Sequence, residues 1–323
     1  MPFQALWQPG CGIRQLQQRA ALLAQLREFF AKRGVLEVET PALMATAATE
    51  PTIAPLWTEY QGATQQRLFL QSSPEFAMKR LLAAGCGAIY QICRAFRDGE
   101  AGRWHNPEFT LLEWYRPGFD HHALMREVEA LLCTTLGCPA ADYVTYSEAF
   151  ARYAQLDPLH APLAHLQARV AHWMGATSAS SLERDACLQL IMNQAVEPHL
   201  GRTAPTFVYH YPASQAALAR RLPEQPELAA RFEVYVQGVE LANGFYELTD
   251  AAEQRERFEQ ELAYRRRQGM PMPPLDEALL AALAAGLPDC AGVALGVDRL
   301  LMLQTGATNM DEVLAFSLQR LGC

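Results

Sequence analysis

FRDGEAGRWHNPEFTLLEWY, residues Phe96 to Tyr115, is the stretch from which the fold can be read. Ile89 to Arg97 and Glu108 to Arg116 read as two strands, and the polar Asp98 to Pro107 joins them as the loop of a long hairpin. Alternation along the returning strand puts Phe109, Leu111, Glu113 and Tyr115 on one face. An aromatic ring, a carboxylate and a phenol then point the same way. Such a face can stack a base and hold a cation, although an ordinary amphipathic strand with a wet side gives the same pattern.

Two further stretches carry weaker signals. Phe232 to Val236 and Val239 to Ala242 read as a second hairpin around Gln237-Gly238. That turn sets Val236 opposite Val239 and Tyr235 opposite Glu240, with Glu233 on the same face as Glu240. Two carboxylates held together repel unless something positive lies between them. A hard dication such as Mg²⁺ bridging to phosphate oxygens is one answer; two exposed glutamates on a solvated sheet are the other. The third stretch is Gly292-Val293-Ala294-Leu295-Gly296-Val297-Asp298-Arg299. Small residues in a strand let a ligand approach the backbone. Arg299, in the first turn of the next helix, can meet an anion without losing its charge.

The remaining segments fill in around these. Leu16 to Arg33 is an amphipathic helix, with Leu16, Ala20, Leu23, Leu26 and Phe30 at helical spacing and Gly34 as its stop. A short strand follows, ended by Pro41. A mostly helical insertion is expected around residues 119–205: a helix over Phe119 to Leu136, then an Ala- and Leu-rich, proline-punctuated stretch from 142 on. Ala252 to Gln268 is an exposed charged helix whose Arg265-Arg266-Arg267 run reads as a solvated face. Leu275 to Ala285 is a helix capped by Gly286. Strands grouped with helices between them, rather than strict alternation, favour an α+β domain on an antiparallel sheet flanked by helices.

Composition narrows the function classes. Half of the 323 residues are hydrophobic and 19% are charged, so a sizeable core can be buried. No apolar run is long enough to cross a bilayer, and Met1 to Gly12 lacks the pattern of a secretory signal. The eight cysteines form no CxxC pair, and the eight histidines supply no zinc-ligand spacing. Such a chain is expected in a reducing cytoplasm. A net charge of −8 argues against an extended nucleic-acid footprint.

Taken in order, Gly34 to Pro41 (GVLEVETP), Phe96 to Tyr115 and Gly292 to Arg299 resemble motifs one, two and three of the class II aminoacyl-tRNA synthetases. Ser73-Pro74-Glu75, RWHNPEFTLLEWY at Arg103 to Tyr115 and ELANGFYELTD at Glu240 to Asp250 resemble the lysyl branch, and the likeness covers nearly the whole chain.

The resemblance implies ATP, Mg²⁺ and a dicationic amino acid. Arg97 and Arg299 would be the catalytic cations, with Arg97 clamping the amino-acid carboxylate and the α-phosphate. The ATP site would comprise Arg97, Asp98, Gly99, Glu100, His105, Asn106, Phe109, Glu240, Leu241, Gly296 and Arg299, with Phe109 stacking on adenine. Glu233 and Glu240 would bind the metal. Ser73, Pro74, Glu75, Glu113, Tyr115, Asn243 and Glu247 would form the amino-acid pocket. Two residues depart from the family pattern: Gly99 stands where a glutamate reads adenine, and Ala294 stands where lysyl synthetases have glycine.

Only about fourteen residues precede the first helix, too few for the β-barrel that binds the tRNA anticodon in lysyl synthetases. The resemblance is therefore to a paralogue without anticodon recognition. Such a paralogue implies (R)-β-lysine or lysine as substrate and a lysine ε-amine on translation elongation factor P as acceptor. It also implies a symmetric homodimer through motif one. A truncated lysyl synthetase core charging an RNA or carrier, and a non-catalytic regulatory paralogue, are the alternatives.

Overall fold

The computed structural model describes residues 7–321. Met1 to Ala5 and Leu6, part of the segment read for a signal, and Cys323 lie outside that range. The chain forms two compact units: one takes the sequence up to Gly118 and again from Leu248, the other is Phe119–Glu247.

In the first unit the expected hairpin is present as Ile89–Phe96 and Glu108–Pro117, paired from Ile89↔Tyr115 to Phe96↔Glu108. Cys290–Gly296 adds antiparallel to the outer side of Glu108–Pro117, and Leu36–Glu37 pairs parallel with Ile89-Tyr90. The sheet is thus mixed rather than purely antiparallel. The strand expected to run to Pro41 is only two residues long, although Val38 N–H still donates to Tyr90 O at 2.9 Å. A separate small sheet holds Leu43–Met44, Gln66–Leu70 and Trp57–Tyr60.

Helix Ile13–Ala31 covers one face of this sheet. Its buried stripe is Leu22, Leu26, Phe29 and Phe30, rotated from the expected one: Ala20 is exposed and Leu16 and Leu23 are half-buried. The aromatic anchor sets the rotation. Phe30 stacks on Tyr90 at 4.4 Å between ring centroids and meets the Trp114 edge at 5.3 Å. Trp114, on the even-numbered face of its strand, is fully buried there. That leaves the odd-numbered face, Phe109 to Tyr115, for chemistry.

Helix Ala251–Arg267 starts at Asp250, whose carboxylate accepts from Ala252 N and Glu253 N. Its arginine run is not a uniformly solvated face. Arg265 is 1% exposed and donates to the carbonyls of Thr49, Glu50, Ile53 and Pro271, tying down a loop with no secondary structure of its own. Helix Glu277–Gly286 begins two residues later than expected, because Asp276 caps it by accepting from Leu279 N at 2.8 Å.

The second unit is less uniformly helical than its composition suggested. Helix His121–Leu136 is followed by a strand, Asp142–Thr145, parallel to Thr206–Tyr209. Thr145 then caps the helix Tyr146–Tyr153 in a capping box with Glu148. Helices Leu163–Met174 and Arg184–Ile191 complete a core around Phe150, Leu166, Val170, Leu188, Ile191, Val208 and Tyr235. The second hairpin is longer than expected, Gln225–Val236 with Val239–Tyr246. Its turn residues Gln237 and Gly238 both have positive φ, 55° and 78°, the geometry of a two-residue turn that matches strand twist. Thr206–Pro212 pairs antiparallel with Gln225–Val236 on the other side.

Candidate active site

The loop of the first hairpin is held at several points. Arg97 N donates to Pro107 O and Asp98 N to Ala54 O, both at 2.9 Å. Asn106 is buried, donates to Glu108 O at 2.7 Å and accepts from Leu318 N at 2.9 Å. It braces the loop against the C-terminal segment. Arg103 Nε donates to Thr308 O at 2.7 Å and fixes the same loop from another side.

On this frame Arg97 lies with its guanidinium carbon 5.2 Å from the centre of the Phe109 ring, and its Nε is buried with no hydrogen-bond partner. A buried donor left open is costly unless a ligand completes it. Glu100 Oε1 is 3.6 Å from Arg97 Nη1. Gly99 has a left-handed φ of 75°, and Asp98 Oδ1 accepts from its N–H at 2.9 Å. A glutamate at this position would be strained in the turn the loop makes.

Arg299 comes from the far end of the unit's sequence. Gly296 is the N-cap residue of helix Val297–Thr305 and leaves room beside the Arg299 stem. Arg299 Nη2 is 2.7 Å from His105 Nε2, and Nε donates to Trp104 O at 3.3 Å. Packing around the ring and the Arg299 charge hold the His105 pKa below the usual imidazole value, so neutral His105 accepts from Arg299. The placement of Arg299 depends on Asp298, a residue the sequence did not single out. Asp298 is buried, accepts from Thr110 N at 2.7 Å and pairs with Arg19, which also donates to Thr110 Oγ1 at 2.7 Å.

The odd face of the strand Glu108–Pro117 is polar and enclosed. Glu113 and Tyr115 are each 2% exposed. Tyr115 Oη donates to Glu113 Oε1 at 2.5 Å, and Ser73 Oγ donates to Glu113 Oε2 at 2.8 Å. Ser73 Oγ also accepts from Glu75 N at 3.0 Å where helix Glu75–Ala83 begins after Pro74. Glu75 itself is paired with buried Lys79 at 2.6 Å. The Glu75 charge therefore already has a cation from its own helix. Across the strand pair, Gly292, Ala294 and Gly296 lie opposite Tyr115, Glu113 and Leu111. The small residues clear that face, and the Ala294 methyl stands at the Glu113 position. Cys93, opposite Leu111, has its thiol pushed up to about 12 by burial and the Glu113 charge, and so remains a thiol.

In the second unit the register places Tyr235 opposite Glu240 and Val236 opposite Val239, as expected from the turn. A bulge between Val234 and Tyr235 leaves buried Leu241 as the extra residue. Glu233 is 8% exposed and heavily engaged. Arg231 Nη2 donates to Oε1 at 2.5 Å, and Tyr211 and Tyr235 donate their hydroxyls to Oε2. Burial, and then the Glu233 charge, raise both phenols well above the usual tyrosine value, which keeps them protonated donors. The repulsion argument for a metal therefore has another answer at Glu233, because the positive partner is Arg231. Arg231 also donates to Asn243 Oδ1 at 3.3 Å and to Gln215 O at 2.6 Å. Sequence reasoning missed Arg231, although it lies two residues before Glu233 and four before Tyr235 on the same alternating face. Glu240 and Asn243 are half-buried, and Glu247 is 1% exposed with its carbonyl accepting from Arg220 Nε at 3.0 Å.

Each unit thus presents a polar sheet face. Around the first lie Arg97, Arg299, neutral His105 and Phe109 with the enclosed Glu113; on the second, Arg231 and two phenols hold Glu233. These are parts suited to binding anions and cations and to stabilising charge on a transferring phosphoryl group. A family model for tRNA synthetases class II (D, K and N) matches residues 13–320. Two curated relatives, the elongation factor P–(R)-beta-lysine ligases of Salmonella paratyphi B and Salmonella heidelberg, are each 51% identical over 324 residues, covering 99% of this chain and 100% of theirs.

Proposed function

This chain belongs to the class II tRNA synthetase (D, K and N) family, and from that membership we propose that it activates (R)-β-lysine with ATP and transfers it to a lysine ε-amine of translation elongation factor P. The observation that carries this reading is the end-to-end likeness to ligases of that name. In the first half-reaction a carboxylate oxygen of the amino acid attacks the α-phosphorus, and pyrophosphate leaves. In the second, the acceptor amine attacks the adenylate carbonyl, loses its proton, and AMP leaves with formation of an amide. Neither step needs a covalent nucleophile from the protein. That agrees with a Cys93 held as thiol.

Arg97 is the catalytic cation at the reacting phosphate, and its open Nε is the donor an oxyanion would complete. Arg299, with neutral His105 accepting from it, takes the outer phosphates. Phe109, half-buried beside Arg97, offers the ring that stacks on adenine. Gly99, Glu100 and Asp98 shape the loop around the base, Asn106 braces it, and Leu241 and Gly296 supply backbone beside the nucleotide. Glu113 and Tyr115 recognise ammonium, with Ser73, Pro74 and Glu75 setting the wall behind them; Asn243 and Glu247 complete amino-acid recognition.

Glu233 and Glu240 offer hard oxygen donors of the type Mg²⁺ takes. At Glu233 the ion would join the Arg231 and tyrosine network rather than replace it. Bound Mg²⁺ would polarise phosphoryl oxygens. We further propose a symmetric homodimer working in the cytoplasm. Leu36, in the motif-one segment, and Ile13, at the start of the helix before it, are 55% and 74% exposed and fit a twofold contact. No helix among the described residues is long and apolar enough to cross a membrane.

The acceptor is tested by incubating the enzyme with ATP, labelled (R)-β-lysine, elongation factor P and bulk tRNA together. Label in the elongation factor, lost when its acceptor lysine is replaced by arginine, is the expected result. Label in RNA alone would replace this reading with a truncated lysyl synthetase.

A further inference from the structure

Away from the sheet faces described above, the second unit gathers three histidines. His121 and His122 open the helix His121–Leu136, and His210 lies in the strand Thr206–Pro212, 89 residues from His121. The pairing with Gln225–Val236 is irregular at this point, with Ala230 and Arg231 set against His210 alone, and His210 takes a left-handed φ of 60°. His121 Nε2 and His210 Nε2 are 3.1 Å apart, and one ring nitrogen from each of the three residues lies within 4.8 Å of the others. The His121 and His122 ring centres are 4.1 Å apart.

We propose that His121, His122 and His210 form a binding site for one divalent transition-metal ion of the Zn²⁺ class.

Two observations point beyond simple packing. Tetrahedral Zn²⁺ with nitrogen ligands at about 2.0–2.1 Å requires neighbouring donor atoms about 3.3 Å apart, close to the 3.1 Å separation of His121 and His210. His121 is also 5% exposed, and its Nδ1 is buried with no hydrogen-bond partner. The ring therefore has only its contact with His210 to settle both polar atoms. A metal ion between the two Nε2 atoms would take up the lone pairs that these ring nitrogens turn toward one another.

His122 and His210 are half-buried, so an ion has a route in. Three imidazoles select borderline ions such as Zn²⁺, Co²⁺ or Ni²⁺ over Mg²⁺, which prefers oxygen. Three protein ligands also leave a fourth position for water. The helix N-terminus opposes a cation. Asp120, the cap residue whose carboxylate accepts from Ala123 N at 2.7 Å, offsets part of that charge. Sequence spacing could not reveal the site, because His210 is 89 residues from His121 and meets it only in the folded unit.

The test uses the full untagged chain, freed of metal with a chelator. Zn²⁺ titration by calorimetry should show one site, and Co²⁺ should give the intense visible bands of tetrahedral coordination. His122→Ala removes a half-buried ligand, and His210→Asn keeps a residue that tolerates left-handed backbone. Each should weaken Zn²⁺ binding on the order of tenfold or more, while circular dichroism stays that of the parent and millimolar Mg²⁺ fails to compete. Absence of stoichiometric binding overturns the proposal. So does equal binding by both variants, because the ion would then lie elsewhere.

Discussion

Glu233 shows how much a single charged neighbour changes the meaning of a carboxylate. Two phenols and Arg231 hold it at 8% exposure, so removing Arg231 strands a negative charge beneath the surface. Arg231→Leu should cost roughly 3–5 kcal/mol of stability, read as a lowered urea midpoint. The double variant Arg231→Leu with Glu233→Gln should recover part of that loss, because the stranded charge goes too. Equal stability of the single variant and parent would mean the pair is idle. Glu247, almost fully enclosed, is proposed to meet an ammonium group of the substrate. Glu247→Gln should slow lysine-dependent pyrophosphate exchange by about two to three orders of magnitude, consistent with losing a buried charge partner worth roughly 3–5 kcal/mol. Exchange at the parent rate would remove Glu247 from the pocket.

At the scale of elements, helix Ala251–Arg267 couples stability to pH. Glu261, which accepts from Thr49 Oγ1, is raised to about 7 by burial first and then by the nearby Glu50 charge. Its folded pKa lies above its unfolded one, so the folded state holds the proton more tightly. Stability contributed by the protonated form is fully present below the ordinary glutamate range and falls as pH climbs through about 7. Glu261→Gln should flatten the thermal midpoint across that window; an unchanged slope would place the titration elsewhere. The two hairpins were legible from sequence because alternation and Gln237-Gly238 are local signals, and the register Tyr235↔Glu240 followed from the turn alone. Arg265 was misread because a run of arginines gives no hint that three carbonyls of a distant loop, with Pro271 O nearby, converge on one of them. The stripe read for helix Ile13–Ala31 held at Leu26 and Phe30, where Phe30 meets the distant rings of Tyr90 and Trp114, but Leu22 and Phe29 are buried in place of Leu16, Ala20 and Leu23. Strand Asp142–Thr145 was lost inside an Ala-rich stretch, since a strand of four residues pairing parallel to a distant one leaves no period to detect.

At the scale of the whole molecule, the exposed Ile13 and Leu36 predict self-association. Sedimentation should give about twice the chain mass of 35.9 kDa, and Leu36→Asp should shift the population toward monomer by placing charges against each other across a twofold contact; a parent that sediments at the chain mass would contradict the dimer. The family membership and the anion-ready arginines together make a narrower claim, that the chain forms an aminoacyl-adenylate from a doubly charged amino acid. Pyrophosphate exchange into ATP measures that step without any acceptor. The account predicts exchange that depends on (R)-β-lysine, persists with lysine, is absent with uncharged amino acids and is abolished in Arg97→Ala. Exchange that ignores the added amino acid, or that survives loss of Arg97, would contradict it.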